Sequence, residues 1–499
     1  MSSVQRAGSL PSRREPGYHS LKWIDGQVLT PQIAAKSGKL LNQLEKQARI
    51  TVFGHSMIKN GSGKSALNGA PDNGRVTNLG LTAKPAAFKN RRFIPRNQKA
   101  QGFMKDRKDM LAGAGTDTKL CHIGHDPSSF HGFVNPPVVH ASTVLFPDVK
   151  TMETRAQKYT YGTRGTPTTD ALCEAIDVLE GSAGTILVPT GLAAITVPFL
   201  AFLSAGDHAL IVDSVYSPCR HFCDTMLTRL GVEVEYYDPE LGAGIQSLIR
   251  PNTKLVHTEA PGSNTFEMQD ICAIADVAHK HGCVVTMDNT WATPLYFRPL
   301  DFGVDISIHA ATKYPSGHSD ILMGTVSANA AHWDRLREAN ITLGICGSPD
   351  DSYMILRGLR TMNLRLEHHG RSALAVAEWL EGRDDVARVL HPALPSFPGH
   401  AIWKRDFKGA SGIFSFVLAA DAPEKFKPKA RAFLDELSLF GLGYSWGGFE
   451  SLAVMVNLDD RRIRKAPSEG PVIRLQIGLE NVEDILADLQ RGFKAAAAV

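Results

Sequence analysis

Four short apolar runs, HALIVD (208–213), KLVHTE (254–259), CVVTMD (283–288) and DISIHA (305–310), recur between longer stretches of helical pattern. Each reads as a buried strand. Between two of them, DICAIADVAHKHG (270–282) sets Ile271, Ile274, Ala275 and Ala278 on one helical face and ends at a glycine. Strands alternating with helices predict an α/β domain built on a mostly parallel sheet with right-handed crossovers. That architecture also predicts where a ligand binds, in the crevice beyond the carboxyl ends of the strands. Three of those ends carry conspicuous residues: Asp213, Asp288 and, just past its strand, Lys313.

The chain is 499 residues long, enough for two or three domains with sizeable cores. Residues 1–110 differ from the rest. They hold 20 Lys/Arg against 6 Asp/Glu, an excess of 14, so with the whole chain at +3 the remainder is net −11. An acidic remainder argues against a nucleic-acid-binding core. The basic segment reads as a disordered or targeting extension, with one short amphipathic helix over 31–48. An organellar address and an unneeded leader on a cytoplasmic enzyme are both compatible with it. Its GSGKS (61–65) lacks the earlier glycine of a phosphate loop, because Ile58 stands there, and reads as a flexible loop. Residues 111–165 form an arm, 166–358 the α/β domain, and 359–499 a smaller α+β domain with strands in 412–420 and 471–480.

Residues 181–206 carry no charge, but Pro189, Gly191 and Pro198 interrupt them, so they read as strand, loop and buried helix instead of a membrane span. The seven cysteines are scattered and odd in number, as reduced thiols of an intracellular protein would be. Cys219 and Cys223 fit one helical face, and neither they nor Cys121, His122 and His125 have the spacing of a metal site.

A lysine at the mouth of an α/β sheet serves as a phosphate ligand, a structural ion pair or a covalent nucleophile. Partial desolvation favours its neutral amine and suits it to covalent chemistry with an aldehyde. Pyridoxal phosphate needs such a lysine, and it needs a carboxylate opposite the ring nitrogen. Asp288, 25 residues before Lys313, is placed for that. VPTGLAAI (188–195) follows a strand and opens a helix, so the N–H groups of Gly191 and Leu192 would meet a phosphate. Thr312 adds a hydroxyl, and Tyr216 is the aromatic to cover the ring. Arg474 stands alone in the apolar PVIRLQIGL, where its fork needs a carboxylate from a substrate or from an internal ion pair. Each feature has an ordinary explanation alone. Their order on consecutive strand ends is what gives them force.

DNTWATP (288–294), AATKYPSGHSD (310–320), YGTRGTPTTDAL (161–172) and YSWGGFESL (444–452) resemble the pyridoxal-phosphate-dependent enzymes of cysteine and methionine metabolism, over roughly residues 115–495. The resemblance implies the aspartate-aminotransferase-like arrangement known as fold type I. It implies that Lys313 binds the cofactor covalently and acts in catalysis, that Asp288 pairs with the ring nitrogen, that Tyr216 stacks on the ring, and that Gly191 and Leu192 hold the phosphate. It further implies that Tyr161 reaches the phosphate of a neighbouring subunit, within a homotetramer of dimers with shared sites. The arginine usual two residues after that tyrosine is Thr163 here, which leaves Arg164 as the substitute. Ala310 replaces a serine common in relatives and removes one hydroxyl.

On the substrate side, the resemblance makes Arg474 the anchor of an α-carboxylate, with Ser445 assisting. Tyr444, Ser445 and Trp446 resemble the triplet of members that act at Cβ, since members acting at Cγ tend to have leucine in place of Trp446. The implied activity is carbon–sulfur β-elimination of L-cystathionine to homocysteine, pyruvate and ammonia. Action at Cγ, a broader β-lyase activity on other thioethers, and a non-catalytic cofactor-binding protein are the alternatives.

Overall fold

The computed structural model describes residues 111 and 113–499, together with a two-residue antiparallel strand pair, β1 (Trp23–Ile24) with β2 (Gln27–Val28). The chain divides into two units, 1–94 and 95–499. The helix expected over 31–48 and the loop at 61–65 lie outside the described residues.

The second unit holds two sheets. The larger has seven strands in the order β3 (Gly184–Val188), β9 (Gly324–Ala328), β8 (Ile306–His309), β7 (Val284–Asp288), β6 (Thr253–Glu259), β4 (His208–Val212) and β5 (Glu233–Tyr237). The run from β8 to β5 is parallel throughout, while β9 lies antiparallel to both β8 and β3. Strands β3, β4, β8 and β9 are buried along their whole length. Burial on both faces is the reason β3 and β4 read as nearly continuous apolar runs, while β8 and β9 bury Ser307, His309, Thr325 and Ser327 among apolar neighbours.

The uncharged run 181–206 becomes strand β3, a turn and the helix Gly191–Phe202. Among the described residues no helix is long and apolar enough to cross a membrane. Thr190 caps that helix, its hydroxyl accepting from the N–H of Ala193. The stretch holding Cys219 and Cys223 is helical, and both thiols are buried.

The smaller sheet is antiparallel, in the order β10 (Val386–Leu390), β11 (Ile413–Leu418), β13 (Val472–Gln476) and β12 (Leu452–Met455). Helices Met362–Glu381, Pro423–Glu436 and Val482–Ala496 accompany it. Phe416 on β11 meets Phe433 and Phe493 from two of them, with ring centroids 5.6 and 5.7 Å away. Truncating a buried ring of this kind costs about 3–5 kcal/mol.

Candidate active site

The carboxyl ends of β6, β7 and β8 lie side by side, and register pairs Glu259 with Asp288 and Asp288 with Ile308. After β8 the chain turns sharply through residues 311–316, closed by N–H bonds from Ser316 to the Ala311 carbonyl and from Gly317 to the Lys313 carbonyl. The turn is locked from below. Buried Arg365 donates to the Tyr314 carbonyl at 2.8 Å, and the Tyr314 hydroxyl accepts the N–H of Gly412 at 2.8 Å. Lys313 thus extends from a firmly held turn. Its amine, Asp288, Tyr216, Gly191, Leu192 and Arg474 all line one cavity of about 1080 Å³, open solvent at its mouth included.

Lys313 Nζ donates to Ser445 Oγ at 2.9 Å and lies 5.2 Å from the centre of the Trp446 ring. Burial, with help from the positive charge of Arg474, lowers its pKa to about 8, against the opposing pull of Asp288. A substantial share of this amine is therefore neutral near physiological pH. The Asp288 carboxyl is raised by burial and held back by Thr290. The Thr290 N–H and hydroxyl both bond Oδ1, and among the described residues no donor meets Oδ2.

The N–H groups of Gly191 and Leu192 belong to the first turn of their helix, where no intrahelical acceptor exists. Gly191 is required by space: a Cβ there would lie 2.6 Å from that of Ala310. The Thr312 hydroxyl, expected at the phosphate, lines the cavity but is engaged with Met323, donating to its carbonyl and accepting its N–H. Serving a phosphate would require exchanging that bond. Tyr216 caps the next helix and is 44% exposed, its backbone N–H donating to Glu259 Oε2 at 2.7 Å. Burial by the cavity walls, with Asp288 and Glu259 nearby, pushes its phenol up.

Arg474, on β13, donates to the Tyr444 carbonyl at 2.6 Å and to Asn264 Oδ1 at 3.3 Å. Both acceptors are neutral, and among the described residues no carboxylate pairs with it. The internal ion pair that the sequence left open is absent there. Burial lowers its pKa to about 10, which still leaves it charged. Ser445, expected to assist Arg474 with a carboxylate, accepts a bond from Lys313, while the carbonyl of the preceding Tyr444 meets Arg474. Trp446 packs edge-on against Tyr314 and lines the cavity, while the Tyr444 side chain is 85% exposed at the rim.

Tyr161 and Arg164 do not line this cavity. Tyr161 lies in a separate hollow with Gly162, Thr163 and Cys346 and is 52% exposed. Sequence reasoning missed three groups. Glu259 was legible as the last residue of a strand run but lacked a reason to be singled out until register placed it beside Asp288. Asn264 and Arg461 belong to loops whose meeting no local pattern announces. Asp213, noticed as a strand end, holds the architecture together. It accepts N–H bonds from Arg462, Ile463 and Arg464 and pairs with Arg220 at 2.8 Å.

The donor set fits pyridoxal 5′-phosphate. Two first-turn helix N–H groups line the cavity, one of them at a glycine where a Cβ would not fit, one Asp288 carboxylate oxygen meets no donor among the described residues, and a partly neutral lysine shares the cavity with an aromatic ring. Together with the mixed sheet, these features define a fold type I enzyme that uses pyridoxal 5′-phosphate. The profile of the Cys/Met metabolism PLP-dependent enzyme family matches residues 117–494, and the chain belongs to that family. It is 77% identical to a putative cystathionine β-lyase of Rhizobium johnstonii, over 79% of this chain and 100% of that protein. It is 42% identical to cystathionine β-lyase MetC of Escherichia coli, over 77% of this chain and 99% of the relative. The crystal structure of cystathionine γ-synthase from Xanthomonas oryzae pv. oryzae, in complex with aminoacrylate and cysteine, matches with a TM-score of 0.71 and 33% identity, covering 77% of this chain and 99% of that one. The chain is thus an enzyme of the carbon–sulfur lyase group in cysteine and methionine metabolism.

Proposed function

We propose that this enzyme splits L-cystathionine by β-elimination into homocysteine, pyruvate and ammonia. The observation that carries the reading is the contact of Lys313 Nζ with Ser445 at 2.9 Å beside Trp446, in one cavity with an arginine that among the described residues no carboxylate pairs. When bound, the cofactor activates the substrate's amino group and supplies the electron sink that makes its Cα proton acidic. The residues of the chain do the rest. Arg474 takes the α-carboxylate in its fork and so orients the Cα–H bond toward Lys313. The neutral Lys313 amine removes that proton as general base. The Cβ–S bond breaks, and the sulfur leaves as the homocysteine thiol after taking a proton from Lys313, with Tyr216 assisting at the same face. Water then converts the three-carbon remainder to pyruvate and ammonia. Asp288 would face the ring nitrogen of the bound cofactor, and the N–H groups of Gly191 and Leu192 would hold its phosphate.

The product decides between this reading and action at Cγ, which the likeness to a γ-synthase keeps in view. Cystathionine should release pyruvate, whereas 2-oxobutyrate as the main keto acid would replace β- by γ-elimination. Comparable kcat/KM values for several unrelated thioethers would widen the reading to a general cysteine-S-conjugate β-lyase.

The same reading includes a dimer with shared sites, paired into a tetramer. The arm that carries Tyr161 exposes large apolar side chains, among them Phe133 at 71%, Leu145 at 85% and Val149 at 64%. Large apolar side chains left exposed along one segment favour a protein interface there. A second copy seated there would receive Tyr161 and Arg164 at its phosphate.

A further inference from the structure

The loop between β6 and the following helix takes an unusual course. Asn264 and Phe266 both have left-handed backbones, with φ of +67° and +61°. Asparagine tolerates this region, but a bulky aromatic residue rarely does. Two such residues within three positions persist only where the surroundings impose them. The loop closes on itself, the Gly262 N–H donating to the Glu267 carbonyl at 2.9 Å and the Phe266 N–H to the Gly262 carbonyl at 3.0 Å.

The external support is Arg461, which is 4% exposed. Its Nη2 donates to the Ser263 carbonyl at 2.6 Å and to Thr265 Oγ1 at 3.2 Å, and its Nη1 lies 4.0 Å from Glu267. The Thr265 hydroxyl donates on to Glu267 at 2.7 Å. The segment after Arg461 is pinned by the three N–H bonds that Asp213 accepts. A chain of half-buried polar contacts thus runs from the end of β4 through Arg461 into the loop. Its outcome is Asn264 Oδ1 held 3.3 Å from Arg474 Nη1.

We propose that Asn264 is a positioning residue for the substrate carboxylate, holding the Arg474 guanidinium through a neutral acceptor, and that Arg461 keeps it in place. The inference rests on the reading of Arg474 as the carboxylate anchor. The choice of amide has a physical reason. An amide oxygen fixes the plane of the guanidinium by one hydrogen bond and leaves its charge for an incoming anion. A carboxylate at the same place would pair with the arginine and compete with the substrate. Asparagine and aspartate have nearly the same shape, so the exchange tests charge without changing volume.

The test uses the cofactor-loaded protein and glycine, which offers only an amine and a carboxylate. Glycine binding is followed by calorimetry, alongside KM and kcat for cystathionine. Asn264→Asp should weaken glycine binding and raise KM at least ~10-fold, with a smaller change in kcat. Asn264→Ala should weaken binding several-fold, Arg461→Met should follow it, and Arg461→Lys should recover part of the loss. A merely structural role would lower Tm and kcat and leave KM and glycine affinity unmoved, and that result overturns the proposal. Arg474→Met separates the two levels. If it loses glycine while Asn264→Asp keeps wild-type affinity, the present inference alone fails. If it binds glycine like wild type, the anchor reading fails and takes the inference with it.

Discussion

Lys313 owes its reactivity to where the sheet puts it. Burial and the Arg474 charge bring its pKa down to about 8, so its neutral fraction rises steeply between pH 7 and pH 9. Only the neutral amine attacks an aldehyde, so uptake of cofactor by the apoprotein should accelerate with rising pH, with its inflection near pH 8. Stopped-flow absorbance of the apoprotein mixed with pyridoxal phosphate measures this. Arg474→Met removes a neighbouring positive charge, so its inflection should move to higher pH, and an unchanged inflection would show that the coupling is absent. Much of this site is legible from residue order, because Tyr216, Asp288 and Lys313 sit at or just past successive strand ends and Arg474 interrupts an apolar run. The contact of Ser445 with Lys313 is different, because it joins side chains 132 residues apart and has no local signal.

Among the elements, the YSWGGF segment shows how a loop is fitted to a turn. Gly447 has φ +80°, and a Cβ there would stand 3.2 Å from the Lys313 Cα and 3.0 Å from the Tyr314 N. Alanine at 447 meets both the left-handed penalty of about 1–2 kcal/mol and a tight contact with backbone that the Arg365 clamp keeps from yielding. Gly447→Ala should therefore lower kcat by about 10-fold or more while the protein still folds, as steady-state kinetics and far-UV circular dichroism would show together. Wild-type kcat would contradict the fit. The strands and helices around these loops follow from apolar periodicity, and β4, β6, β7 and β8 fall where their runs predict. The loops do not, because Asn264 and Arg461 are 197 residues apart and meet only through the packing of two sheets.

On the scale of the whole molecule, a buried acid and an exposed arm make separate demands. Glu180 is 1% exposed, and burial raises its pKa from 4.5 to about 8, against the opposing Ser307 hydroxyl and Arg298 charge. The folded protein keeps that proton up to about pH 8, whereas the unfolded chain releases it from about 4.5, so this group lowers stability as pH rises through that window. Glu180→Gln does not titrate, so its stability relative to wild type should grow between about pH 5 and pH 8.5 in urea denaturation, and a constant difference would contradict the assignment. The exposed arm leads to a different experiment. Co-expressed Tyr161→Ala and Lys313→Ala chains should regain roughly a quarter of wild-type activity through hybrid dimers with one intact site, whereas activity no higher than the separate variants would refute sharing. Neither the arm's partner nor residues 1–110 is legible in single-chain patterning, which reports what one chain buries in itself. The most direct test of the central claim is borohydride reduction of the loaded enzyme followed by peptide mass spectrometry. A pyridoxyl group on Lys313 is expected, with no adduct and no pyruvate from cystathionine in Lys313→Ala. A cofactor fixed at another lysine, or none fixed at all, would contradict it.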